Sequence, residues 1–237
     1  MDELTNRGFQ KTADLNNNWA LKLQKCFQSY SWGKLNLGTR FLKGRISRSE
    51  NNVILFAPFL KMELAAHYIS ERVGIYYVDS LAKPNHYAQY LPIAANCFER
   101  GCLSNKEPPP RSEDLVGIAN FGGADTMRGY DRVFASPLIS QIPNGTIGEI
   151  EKVANIIGGK TVQHIDSDWA YEVEPLASVR IRFAFWKGDE ELSSYFSILF
   201  GGETNDTGIP LEDLKALTFL TISRFASGYR LVSTQNS

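Results

Sequence analysis

The sequence predicts an α+β fold: a mostly antiparallel sheet with helices packed on it, in a single domain with an insertion. Three observations lead there. Residues Val179–Trp186 alternate with the period of a strand, Val179, Ile181, Phe183 and Phe185 on one side and Arg180, Arg182, Ala184 and Trp186 on the other. Residues Ile147, Ile150, Val153, Ala154 and Ile157 recur at helical spacing behind Thr146 and Glu149, which match a capping box. Short extended runs are joined by polar turns, as in hairpins.

Bulk properties bound the class. The chain has 237 residues, 43% hydrophobic and 22% charged, the composition of an ordinary globular protein. Its formal net charge is -1, so no global field points to nucleic acid or an anionic membrane. No apolar run approaches the roughly 18 residues of a spanning helix. The opening residues are polar and lack a signal-peptide core. With three cysteines, Cys26, Cys97 and Cys102, this leads us to expect reduced thiols and a cytoplasmic location.

Taken in order, residues 1–10 read as a flexible tail. Trp19, Leu23, Cys26, Phe27 and Tyr30 form the stripe of a helix from Thr12 to Tyr30, stopped by Gly33. Cys26 reads as a small buried hydrophobe on that stripe. Arg40–Arg48 and Val53–Phe59 flank a polar turn and predict a hairpin, with Pro58 at an edge or exit. Lys61–Val73 reads as a short helix ending at Gly74. Residues 75–110 read as the insertion, with a helix over His86–Arg100 interrupted at Pro92 and a rigid connector at Pro108–Pro110.

A strand over Asp114–Phe121 leads into Gly122-Gly123-Ala124-Asp125, and a helical segment runs on to Ile142. Gly158 reads as a helix C-cap. The Gly158-Gly159-Lys160-Thr161 run imitates a phosphate loop, but its spacing and its position before a strand do not fit. Short strands follow at Val162–Ile165 and Ala170–Glu174, and Glu172 and Glu174 are expected to pair with arginines of the long strand. After the Lys187-Gly188-Asp189 turn comes Tyr195–Phe200, then a flexible loop from Gly201 to Gly208. A largely apolar helix opens at Pro210 and runs to about Phe225. Residues 229–237 read as a second flexible tail, so the domain spans 11–228.

The segment Pro175–Phe225 resembles the C-terminal signature of the family designated domain of unknown function 3786. The residues that carry the likeness are Phe185-Trp186, Gly188-Asp189-Glu190-Glu191, Ile198-Leu199-Phe200 and Pro210-Leu211-Glu212-Asp213-Leu214. The Phe121–Asp125 segment is similar to the family's central Gly-Gly-Asp loop, with Ala124 as an extra residue. Leu192-Ser193-Ser194 stands where the family has Phe-Pro-Pro. The resemblance rests mainly on the C-terminal quarter. It implies a soluble prokaryotic protein and no known reaction.

Several chemistries lack a signature. There is no Cys-x-x-Cys, and His67, His86 and His164 stand apart, so no metal ligand set is assigned. There is no Gly-x-Ser-x-Gly and no catalytic-cysteine context. His164-Ile165-Asp166 reads as a lone structural histidine. Basic runs with interleaved aromatics are missing, so neither nucleic acid nor membrane is expected as a partner.

What remains is a small-ligand-binding or accessory role without established catalysis, with no cofactor assigned. Its candidate residues are Gly122, Gly123, Asp125, Arg128, Arg132, Trp186, Asp189, Glu190 and Glu191. Trp169, Tyr171 and Tyr195 are candidate cleft aromatics beside them. One alternative is an enzyme using the acidic loops 122–125 and 189–191, with or without a divalent metal. Another is a protein-interaction module built on the 75–110 insertion.

Overall fold

The computed structural model describes residues 4, 7–11, 18–50, 52–79, 81, 84–122, 130–142 and 146–235. They form an α+β fold with two antiparallel five-stranded sheets. The chain divides into two compact units, Met1–Pro108 and Pro109–Ser237, at the proline run read as a connector.

The N-terminal unit contains β1 (Gln10–Lys11), α1 (Asn18–Ser29), α2 (Trp32–Phe41), β2 (Arg45–Ser49), β3 (Asn52–Phe59), β4 (Met62–Ile69), β5 (Arg72–Asp79) and α3 (Pro84–Leu103). Its strand order is β1-β5-β4-β3-β2. The expected helix over Lys61–Val73 is instead β4, its turn and the start of β5. The reason lies in the turns. Leu60 and Lys61 have φ of 47° and 65°, and Ser70 and Glu71 have φ of 48° and 61°. These are two-residue hairpin loops in the left-handed region, built without the Asn-Gly that usually announces them. Pro58 lies within β3, but β2 pairs no further along β3 than Phe56. The missing amide of Pro58 therefore interrupts no ladder with β2.

Leu4 and residues 7–10, within the stretch expected to be a tail, are packed onto the sheet. Leu4 and Phe9 are buried against Phe56 and Ala65, and β1 pairs with Tyr76 and Tyr77 of β5. Arg7 holds this segment down. Its guanidinium lies 4.9 Å from the Phe56 ring and 2.9 Å from the Glu63 carboxylate. The helix expected up to Tyr30 ends at Ser29, and α2 begins only three residues later and takes in Arg40 and Phe41, the first residues of the run read as a hairpin strand. In the 75–110 stretch, α3 runs through Pro92 unbroken, and Tyr90, Leu91, Ile93, Ala95, Phe98 and Cys102 on it are buried. Pro92 sits on the exposed side of α3. The stretch read as an insertion thus supplies much of β5 and core side chains of this unit.

The C-terminal unit contains β6 (Leu115–Gly117), a 3₁₀ turn (Ile118–Phe121), α4 (Tyr130–Gln141), α5 (Ile147–Ile156), β7 (Lys160–Thr161), β8 (Trp169–Leu176), β9 (Val179–Trp186), β10 (Tyr195–Gly201), a 3₁₀ turn (Gly202–Thr207) and α6 (Leu211–Gln235). Its strand order is β6-β10-β9-β8-β7, with β9 in the centre. The capping box at the start of α5 is made by Thr146 and Glu149, and Gly158 closes the helix at φ 78°. The apolar face of β9 meets α6 through an aromatic stack. Phe225 lies 4.2 Å from Tyr171, which lies 4.7 Å from Phe183, and Trp169 lies 5.1 Å from Phe185. Tyr171 is therefore core. The segment read as a loose tail after Gly228 is helical to Gln235, with Val232 buried. Among the described residues, no helix is long and apolar enough to cross a membrane.

Candidate functional site

The site grows from the second face of β9. Antiparallel pairing sets Glu172 of β8 directly opposite Arg182 of β9. Arg182 donates to one Glu172 oxygen through Nη2 at 2.8 Å and Nε at 3.2 Å, and Arg111 Nη2 takes the other oxygen at 2.8 Å. Glu174, also expected to pair with an arginine, binds the backbone of the turn that follows it. The ladder shifts register between Val173 and Leu176, and the Glu174 carboxylate accepts from the Ser178 amide at 3.0 Å. Arg180 instead takes its partner from the 3₁₀ turn that replaces the expected flexible loop. Its Nε and Nη2 form a bidentate pair with Glu203 at 2.8 and 3.1 Å. Nη1 reaches Glu172 at 3.3 Å and Nη2 reaches the Ser112 carbonyl at 2.6 Å. Gly201 leaves room for this pair, because a Cβ would fall 2.3 Å from the Glu203 carboxylate and displace it from Arg180.

Glu172, Arg180 and Glu203 are each at most 4% exposed. Burial pushes both carboxyls up, but hydrogen bonds from Arg182 and Arg111 on Glu172, and from Arg180 and backbone amides on Glu203, outweigh it. Both end below their ordinary value of 4.5. The hydrogen bond to Glu203 raises the Arg180 guanidinium. Three arginines therefore meet two glutamates, and the cluster carries one excess positive charge.

Arg182 also lines a groove of about 850 Å3 along the edge of this sheet. Its wall is the 161–168 segment. The expected strand over Val162–Ile165 is only Lys160–Thr161, after which the chain leaves the ladder, turning at Asp166 with φ 51°. Thr161, Gln163, His164, Ser167 and Asp168 offer polar side chains to the groove, the Asp168 carboxylate accepting from the Lys187 amide at 2.6 Å; Ile147, Val162, Trp169 and Ala170 offer apolar surface. Ile147, expected on the buried face of α5, is 64% exposed at this rim. His164 packs edge-to-face on Trp186 at 5.6 Å. Burial, and then the charge of Arg182, lower its pKa from 6.5, so the imidazole is neutral at pH 7.

The candidate residues read from the sequence are described only in part. Gly123, Asp125 and Arg128 lie outside the described residues. Gly122 is described, and a Cβ there would meet the Leu211 side chain at 2.9 Å. Arg132 is exposed on α4. Among the described candidates, Trp186 touches a groove residue, His164. Asp189 serves its own turn: its Oδ1 accepts from the amides of Glu191 and Leu192 at 2.9 and 2.8 Å, which holds the carboxyl below its ordinary value. Gly188 must be glycine, since a Cβ would fall 2.2 Å from the Leu192 carbonyl. Glu190 and Glu191 are exposed side chains. Replacing Glu190 and Glu191 by alanine should leave the melting temperature unchanged, and adding Asp189→Ala should lower it. Equal melting curves for the double and triple variants in differential scanning calorimetry would remove the turn-forming role.

The residues missed by sequence reasoning were Thr161, Gln163, His164 and Arg182. Their signals were present but weak, in a phosphate-loop imitation and an isolated His-Ile-Asp. Among the described residues, no group of three or more His, Cys, Asp or Glu side chains comes together as a metal site would require.

A comparison with protein families matches residues 102–224 to Domain of unknown function (DUF3786). The match extends well upstream of the C-terminal quarter that carried the resemblance, and takes in the Arg111, Glu172, Arg180, Arg182 and Glu203 cluster with the groove wall. No curated protein and no solved structure matches the chain. With just over half of its length matched, from the end of α3 to Arg224 on α6, the chain belongs to the family Domain of unknown function (DUF3786).

Proposed function

We propose that the C-terminal unit is a small-ligand-binding module, and that its groove takes a small organic anion with an apolar body. The observation that carries this reading is the Arg182 guanidinium. It reaches the groove with Nε and Nη2 engaged by Glu172, while Nη1 donates to no described residue. The adjoining arginine–glutamate cluster holds it in place and leaves net positive charge behind it. Val162, Trp169, Ala170 and Ile147 supply the apolar wall, and Thr161, Gln163 and His164 supply polar contacts. This arrangement suits a carboxylate at Arg182 with a hydrocarbon or aromatic portion along the wall.

The test is calorimetric titration of the full chain with phenylacetate, acetate and inorganic phosphate. Phenylacetate should bind most tightly. Ile165→Asp places a negative charge at a rim position that is 80% exposed, where folding should tolerate it. It should weaken phenylacetate at least tenfold, about 1.4 kcal/mol. Phosphate binding as tightly as phenylacetate would remove the apolar part of the reading. Binding unaffected by Ile165→Asp would move the site elsewhere.

A further inference from the structure

A second chemistry sits in the N-terminal unit, independent of the groove. Cys26 lies in the last turn of α1 and Cys102 in the last turn of α3, and these helices pack together. The two thiols lie close enough to interact directly across this packing. Their surroundings hold them there. Gly38 of α2 crosses Gly101 of α3 so closely that a Cβ on Gly101 would fall 2.7 Å from the Gly38 Cα. A Cβ on Gly38 would fall 2.7 Å from the Cys102 sulfur, so the thiol has no room to swing toward α2. The third cysteine is engaged elsewhere, Cys97 reaching the Phe41 carbonyl at 3.7 Å.

Lys22 stands one turn before Cys26, and its ammonium pairs with Glu99, one turn before Cys102, at 2.7 Å. Both of those side chains are partly exposed, at 33% and 26%. The thiols, though buried, therefore lie one turn beneath the surface. They sit at helix ends, which open more readily than helix centres. The Cys102 contact, together with the charges of Lys22 and Lys25, favours the thiolate at Cys26 over burial and Glu99.

We propose that Cys26 and Cys102 are a redox pair that a peroxide converts into a disulfide stapling α1 to α3. The Cys26 thiolate attacks one peroxide oxygen and breaks the O–O bond. The leaving hydroxide takes a proton to become water, and Cys26 becomes a sulfenic acid. The Cys102 sulfur then attacks the Cys26 sulfur, its proton leaves with the departing hydroxide as a second water, and the S–S bond forms. Two thiols are oxidised and one peroxide is reduced to two waters.

The experiment treats the reduced full chain with hydrogen peroxide, alkylates remaining thiols under denaturing conditions, and maps the peptides by mass spectrometry. The expected product is monomeric, lighter by roughly 2 Da before alkylation, with Cys26 joined to Cys102, Cys97 alkylated, and full reversal by dithiothreitol. It should also melt several degrees higher than the reduced form. Cys97→Ser should behave as wild type, whereas Cys26→Ser and Cys102→Ser should form no intramolecular disulfide. Three alkylatable thiols after oxidation, a linkage through Cys97, a bond only between molecules, or a sulfinic acid at Cys26 would each overturn the proposal. The wild-type peptide map decides the matter even where a serine variant folds poorly.

Discussion

Arg180→Ala is expected to destabilise the C-terminal unit by about 3–5 kcal/mol, because it leaves the Glu203 carboxylate buried without its cation. Glu203 is 4% exposed and loses a bidentate pair, and the Ser112 carbonyl loses its donor at the same time. Glu172 keeps Arg182 and Arg111, so the damage centres on Glu203. Urea unfolding of the full chain measures the loss. The double variant Arg180→Met with Glu203→Leu should be less destabilised than Arg180→Ala, since a neutral pair of similar volume leaves no uncompensated charge. A cost below about 1 kcal/mol for Arg180→Ala would mean that water reaches Glu203 and that the cluster is no buried network.

The same cluster sets the direction of acid sensitivity. Glu172 and Glu203 have folded values depressed below 4.5. Their contribution is present above the unfolded value near 4.5 and is lost as pH falls through the depressed folded values. Arg180 stays charged throughout. Arg180→Ala removes the main cause of the depression at Glu203. Its acid-unfolding midpoint should therefore move to higher pH than that of the wild type, followed by circular dichroism.

Phe225→Ala is expected to cost about 3–5 kcal/mol, the range for emptying a buried phenylalanine site. Phe225 is fully buried on α6, stacked 4.2 Å from Tyr171 with an interplanar angle of 16° and 6.3 Å from Trp169 with an angle of 9°. The rings belong to different elements, α6 and β8, so the cavity cannot close without moving a helix against a sheet. Phe225→Leu should lose less than half as much. Denaturant unfolding gives the energies, and Trp169 emission should shift to the red in the alanine variant. A loss under about 1 kcal/mol for Phe225→Ala would show that the stack is not a main support of α6.

Much of the C-terminal unit was legible from local chemistry. The alternation of Val179–Trp186 gave β9 its bounds and both of its faces. Thr146 with Glu149 located the start of α5, and Gly158 located its end. These signals are local, because a period-two alternation, a capping box and a left-handed glycine each act within a few residues. The N-terminal unit was less legible. Its hairpin turns place Leu60, Lys61, Ser70 and Glu71 in left-handed conformations, and none of these residues advertises that geometry. Without the turns, the Lys61–Val73 run read as a helix. Leu4 and Phe9 looked like part of a tail because their partner, Phe56, is far along the chain.

The candidate site divides in the same way. The sequence by itself determined that Arg180 and Arg182 share one face of a strand, that Glu172 lies on a neighbouring strand, and that Asp189 begins a tight turn after Gly188. Which carboxylates answer which arginines was decided only in three dimensions. A register shift of the ladder takes Glu174 away to Ser178, and a 3₁₀ turn folds Glu203 back onto Arg180 past Gly201. The groove beside Arg182 was decided there too, by a chain that leaves its strand after Thr161. The physical reason is range. Side-chain alternation and capping are settled between near neighbours, whereas a buried charge takes whichever opposite charge the packed backbone brings within hydrogen-bond reach.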